Sequence, residues 1–297
     1  MIITSANLEG LRVGFKTSFQ HAFGEAPTAY GRIATTVPST TRENKYGWMN
    51  KIPDLREWIG PRQVQNLSES DYSIVNKPFE LTIGVDRDDI DDDNLGIYTP
   101  LFQQMGSRTA THPDRLVFGL LKNGFSTECF DGQYFFDSDH PVINADGSVG
   151  SVSNTDGGAG TPWFLLCTSM PLKPLIFQER KRPEFAARDR LTDENVFNNK
   201  EFQYGVDSRC NVGFGFWQMA YGSRQELNAA NYEAARAAVM GFKGDHGSPL
   251  GLVPNLLVAP PSLEGRANKI LKNALAAGGE TNEWAGTAEL LVTPWLA

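Results

Sequence analysis

Histidine and cysteine are scarce in this chain: four and three of 297 residues. Cys129, Cys167 and Cys210 are odd in number, far apart and in no CxxC pair. That spacing fits a reducing cytosol better than a disulfide framework and leaves the cysteines as small buried apolar residues. None of His21, His112, His140 and His246 lies in an HExxH pair. There is no GxSxG elbow, no GxGxxG after a strand, and no Gly-Lys dipeptide for a P-loop, so serine hydrolase, dinucleotide enzyme and P-loop NTPase lose support. No apolar run reaches the roughly eighteen residues a spanning helix needs, and "MIITSANLEG" lacks the basic and apolar regions of a signal peptide. Neither secretion nor a membrane partner is signalled. Lys and Arg number 27 against 35 Asp and Glu, a net charge of -8. That balance argues against a surface that wraps nucleic acid but suits a protein that must coexist with DNA without adhering to it. The sequence implies no catalytic residue, metal or cofactor.

What is present begins with "VDRDDIDDDN", six aspartates within the eight residues from Asp86 to Asp93. A calcium loop started at Asp89 would need glycine at its sixth position and glutamate at its twelfth; the chain has Asn94 and Pro100. The flanks are more informative. "FELTIGV" alternates Phe79, Leu81, Ile83 and Val85 with polar residues or glycine, the period of a half-buried strand. Beyond it Leu95, Tyr98, Phe102, Met105, Thr109, His112, Leu116 and Leu120 recur at three or four residues and predict one bent rod to about Lys122, kinked at Pro113. Asp92, Asp93 and Asn94 are positioned to cap that rod. Asp86, Asp88 and Asp89 remain for ion bridges, with Arg180, Arg182 and Arg188 of the basic run "RKRPEFAARDR" as candidate partners.

Elsewhere, Leu8, Leu11, Phe15, Phe19 and Phe23 form an amphipathic stripe weakened by Gly10 and Gly14. Pro27 to Asn44 is Thr-rich and lacks helical period, which predicts an extended arm. "RQVQNL" and "YSIVNKPFELTIGV", separated by "SESD", predict a long hairpin that is marginal unless it lies on a neighbouring surface. "FFDSDHP" brings Asp137, Asp139 and His140 together; an acidic turn is the leading reading and a metal site the lesser one. Later come the strands "WFLLCT", "KPLIFQE" and "NVGFGFWQMAYG", a helix capped by Asn228, a second capped by Ser262, and "AELLVT". With 40% apolar residues the chain can bury one large core or two closely joined ones, in an α+β arrangement.

"VDRDDIDDDNLGIYTPLFQQMG", "HPDRLVFGLLKNG", "GQYFFDSDHP", "PNLLVAPPSLEGRANKIL" and "AELLVTPWLA" resemble the major head subunit (major capsid protein) family of Mu-like phages and prophages, over nearly the whole chain. The resemblance implies the tailed-phage Hong Kong ninety-seven type capsid fold. Its expected parts are an N-terminal arm (1–45), an E-loop hairpin with flanking strands (46–86), a peripheral domain with a long spine helix (87–136), and an axial domain with the remaining peripheral strands (137–297). It further implies hexamers and pentamers closing an icosahedral shell around double-stranded DNA in the bacterial host cytoplasm. A separate scaffolding and protease protein, a portal and decoration proteins are the expected partners. Candidate contacts between subunits are Phe15, Phe19, Trp58, Arg62, Asp71, Asp86, Asp88, Asp89, Arg180, Arg182 and Arg188. A nanocompartment shell enclosing an enzyme is the nearest alternative; a hydrolase using Asp137, Asp139 and His140 is the remote one.

Overall fold

The computed structural model describes residues 2–47, 72–92, 95–276 and 278–297. In chain order these form α1 (Ser5–Glu25), α2 (Tyr30–Ile33), β1 (Ala34–Pro38), β2 (Glu43–Lys45), β3 (Ser73–Val75), β4 (Lys77–Asp86), α3 (Arg87–Asp91), α4 (Tyr98–Ala110) and α5 (His112–Lys122). There follow β5 (His140–Ile143), β6 (Val149–Val152), β7 (Trp163–Leu166), β8 (Leu175–Arg188), α6 (Glu194–Asn199), β9 (Glu201–Phe214) and β10 (Ala220–Ser223). α7 (Ala229–Met240), β11 (Leu256–Ala259), α8 (Glu264–Leu271) and β12 (Glu289–Val292) complete the order.

Two four-stranded sheets, β1-β8-β9-β4 and β10-β7-β11-β12, carry the structure, with ribbons β2-β3 and β5-β6 at their margins. Two apolar cores result. The larger surrounds the second sheet and includes Phe118, Trp163, Phe177, Trp217 and Tyr232. The smaller gathers Leu8, Phe15, Phe19, Val85, Phe102 and Tyr204 at the far end of the first sheet. β8 and β9 run through both. β8 is buried on both faces from Leu175 to Gln178 and then alternates to Arg188, so the basic run is the outer half of a strand with Phe185 and Ala187 turned inward. Its register against β9 slips between Glu179 and Lys181 and again between Lys181 and Glu184. Pro183, which cannot donate to the ladder, falls in the second slip.

The expected single rod is two helices. The chain restarts at Thr111, which ends α4 and opens α5, and Pro113 sits in the first turn of α5, where its missing N–H leaves no bond unmade. The buried stripe changes phase at this break. α4 buries Tyr98, Phe102 and Met105 in the smaller core, whereas α5 buries Val117, Phe118 and Leu121 in the larger. Leu116 and Leu120, expected on the stripe, are only partly buried.

The N-terminal stretch packs on its own chain. α1 lies on α4, with Phe15 stacked on Phe102 at 4.2 Å between ring centroids and Phe19 5.6 Å from Phe185. β1 then runs parallel to β8 in the sheet, Ala34 opposite Leu175 and Pro38 opposite Glu179. The predicted cap at Asn228 is present, accepting from the Asn231 amide at 2.9 Å. The one predicted at Ser262 is not: a short 3-10 turn (Pro261–Leu263) feeds α8 directly, without a side-chain cap.

Candidate assembly surfaces

The acidic run is a corner between strand and helix. Asp86 ends β4 and caps α3, its Oδ1 accepting from the Asp88 amide at 2.8 Å. Ile90 is fully buried beneath the aspartates, which fixes the turn against the smaller core. Asp88 pairs with Lys200 at 3.3 Å across the surface. Asp89 accepts a 2.5 Å hydrogen bond from the buried Tyr98 hydroxyl, tying the run to the first turn of α4. Burial, and then the bond to Asp89, push the Tyr98 hydroxyl up from its ordinary pKa. The assignment of helix capping to Asp92 is therefore corrected: Asp92 closes the C-terminus of α3, and α4 starts from Ile97 without a side-chain cap. A carboxylate at a helix C-terminus faces the negative end of the dipole, so its value here is not electrostatic. Asp93 and Asn94 lie outside the described residues, as do Trp58, Arg62, Asp71 and the "SESD" tip.

Within one subunit the expected aspartate–arginine bridges do not form. Arg182 pairs with Glu179 at 3.1 Å, and Arg180 and Arg188 are exposed with no ion pair among the described residues. Phe15 and Phe19, expected to face neighbours, are 4% exposed and covered by α4 and β8 of their own chain. Close approach at Gly106 makes this possible, a feature that the helical period alone does not reveal. The exposed apolar residues lie elsewhere: Phe197, in α6 between β8 and β9, is 82% exposed, and Ile97 and Leu101 beside α3 are about half exposed.

An open groove of about 590 Å³ follows the line where α4 gives way to α5 and β8 slips register. Phe23, Tyr30, Phe79, Pro113 and Phe177 line its apolar part, with Arg108, Arg115, Glu80 and Lys181 around it. His112 meets the ring of Phe79 edge-on at 4.4 Å, and burial, assisted by Arg115, lowers its pKa. The root of the predicted hairpin is held nearby through Gln178, which accepts from the Tyr46 hydroxyl at 2.7 Å and donates to the Ile74 carbonyl at 2.9 Å.

The "FFDSDHP" segment separates into two parts. Asp137 accepts from the Tyr134 and Ser138 amides, as an acidic turn should, while His140 turns inward to Asp131 at 2.7 Å. Asp137, Asp139 and His140 do not converge on one point.

A family model described as "Mu-like prophage major head subunit gpT" matches residues 8–296. The chain belongs to that family. It is 45% identical to the major capsid protein of Escherichia phage Mu over the full length of both chains. It is also 45% identical to the Mu-like prophage FluMu major head subunit of Haemophilus influenzae, over 93% of this chain and 92% of that one. Among solved structures, a subunit of the procapsid of bacteriophage JBD30 superposes with a TM-score of 0.86 at 46% identity, covering 99% of this chain and all of that one. A subunit of the JBD30 capsid gives 0.78 at 35% identity, with both chains fully covered, and one from the JBD30 capsid decorated with minor capsid protein trimers gives 0.78 at 34%. The Mu-like head subunit thus has an α+β phage capsid fold and is a major capsid protein that builds a phage shell, as its sequence segments suggested. The nanocompartment alternative is not favoured by these matches.

Proposed function

We propose that this subunit assembles as hexamers and pentamers into an icosahedral shell that encloses double-stranded DNA, in the cytoplasm of a bacterial host. A separate scaffolding and protease protein, a portal and externally bound decoration proteins act with it, and it has no catalytic role of its own. The observation that carries this reading is the full-length match to the major capsid protein of phage Mu. The surface chemistry agrees with it. Phe197, Arg180 and Arg188 are all exposed in the isolated subunit, and a groove partly lined with aromatic rings lies open beside the root of the hairpin. The apolar parts of these surfaces lose unfavourable hydration when other copies cover them, and the arginines are covered favourably only opposite carboxylates. The Mu-like head subunit's negative charge limits adhesion of its inner wall to packed phosphates.

The smaller core, with α1 and α4, belongs to the peripheral domain in this reading, and the β10-β7-β11-β12 sheet to the axial domain. Asp88 and Asp89 face Arg180 or Arg188 of an adjoining copy. Negative-stain imaging and size-exclusion chromatography of the protein, expressed alone and with a co-expressed scaffold, test the assembly. Closed particles with scaffold are expected; persistent monomers or dimers under both conditions refute it.

A further inference from the structure

Cys129, Asp131 and His140 meet in the interior although none of them belongs to an assembly surface. The turn from Cys129 to Gln133 is closed by the Cys129 amide donating to the Gln133 carbonyl at 2.8 Å, and Gly132 takes a φ of +85°, which favours glycine. That turn places Cys129 and Asp131 on one side, with the thiol 3.0 Å from Asp131 Oδ1. His140, the first residue of β5, closes the group, its Nδ1 lying 2.7 Å from Asp131 Oδ2. A sulfur, a carboxylate oxygen and a ring nitrogen thus lie within 4.8 Å of one another. The imidazole is completely buried and stacked on Trp217 at 4.1 Å, with the rings 9° from parallel.

The Asp131 carboxylate is largely removed from water and is met by the Cys129 thiol, the Gln133 amide at 3.1 Å and His140 Nδ1, while His140 Nε2, the other ring nitrogen, is buried with no hydrogen-bond partner. A cation held between Cys129 Sγ, Asp131 and His140 Nδ1 would neutralise the carboxylate in place of the hydrogen bonds that now link the three. The mixed S, O and N set suits a borderline-soft ion that accepts all three donors at about 2.0 to 2.3 Å. Asp137 and Asp139, the acids adjacent to His140 in sequence, take no part: both belong to the exposed turn.

We propose that Cys129, Asp131 and His140 form a zinc site that pins the 129–133 turn to the start of β5, with water as the fourth ligand. On binding, the zinc–sulfur bond replaces the thiol's S–H bond and the proton passes to solvent, so affinity rises with pH. The role is structural: the ion lies inside the larger core and adds a metal tie to a turn already closed by backbone hydrogen bonds.

The test uses the full chain expressed in zinc-supplemented medium, desalted, and measured by plasma mass spectrometry. About one zinc ion per chain is expected in the unaltered protein. Retention in Cys129→Ala and His140→Gln should fall by roughly tenfold or more, and Asp137→Asn with Asp139→Asn should leave it unchanged. Replacing zinc by cobalt(II) in the unaltered protein should give a thiolate-to-metal charge-transfer band in the near ultraviolet. That readout does not depend on whether the Cys129 variant folds. Zinc below about a tenth of an equivalent in the unaltered protein, bound cobalt without the thiolate band, or zinc lost with the Asp137 and Asp139 pair overturns the assignment.

Discussion

Gly106 of α4 lies against the main chain of Phe19 in α1: a Cβ placed on it would come within 2.3 Å of the Phe19 carbonyl oxygen. Two helices this close have no room for a side chain between them, and backbone cannot step aside as a flexible side chain can. The contact supplies the partner surface that the amphipathic stripe of α1 needs and makes the helix part of the smaller core.

Gly106→Ala should therefore destabilise the subunit by about 1 to 3 kcal/mol, although alanine is the better helix former by about 1 kcal/mol. Gly10→Ala, where a Cβ meets nothing within 4 Å, should gain stability instead. Urea unfolding of the two variants separates the effects; stabilisation of both would mean that α1 is not seated on α4.

The aspartates divide differently from their order in sequence. Asp86→Ala removes the α3 cap and should cost about 0.5 to 2 kcal/mol, whereas Asp92→Ala should stay within about 0.5. Asp88→Asn breaks an ion pair whose side chains are 65% and 66% exposed, so at most about 1 kcal/mol is at stake. Asp89→Ala strands the buried Tyr98 hydroxyl and should cost about 1 to 3 kcal/mol. Thermal melts of the four variants check the ranking, and a cost at Asp92 equal to that at Asp86 would return the cap to the wrong end of the run.

Asp189 gives the smaller core a pH dependence. Its Oδ1 is 3.8 Å from Arg12, its Oδ2 is buried without a hydrogen-bond partner, and burial raises its pKa despite the arginine. The folded chain holds this proton more tightly than the unfolded one does. The site therefore supports folding most below the ordinary value of 3.8 and loses that support as pH rises through the window up to the raised value. The stability of Asp189→Asn relative to the unaltered protein should accordingly improve as pH rises above 3.8. A pH-independent difference in chemical denaturation would show that Asp189 does not titrate in this range.

Arg180 and Arg188 are exposed and have no ion pair among the described residues, so reversing both to Glu should leave the subunit's melting behaviour nearly unchanged while particle yield drops. Unaltered particles should also loosen as salt rises from about 0.1 M to about 1 M, because screening shortens from roughly 10 Å to 3 Å. Undiminished yield from the reversed protein would place these arginines outside any contact between subunits.

Much of this fold was legible because its strands and helices carry a clean period. The strand ending at Val85, the apolar block at "WFLLCT" and the Asn228 cap reappear where the sequence predicts them, although Leu81 of the alternating set is 40% exposed. What stayed hidden depends on proximity in space. Nothing local to Phe15 and Phe19 reveals that Gly106 brings α4 against them. A stripe that keeps its spacing past Thr111 cannot disclose that the helix restarts and turns a new face to a different core. The acidic corner was misread for a related reason: "DRDD" holds both a capping aspartate and first-turn acids for α3, but the long apolar period beyond it favoured a helix that begins later. Asp131, the partner of His140, lies nine residues away, beyond the reach of a short motif.

β8 and β9 thread both cores as uninterrupted strands of 14 residues each. These two strands tie the cores together, so melting one core strips the ladder that anchors the other. Two apolar centres in such a chain form a single cooperative unit, and the amides of the shared strands open only with the whole molecule.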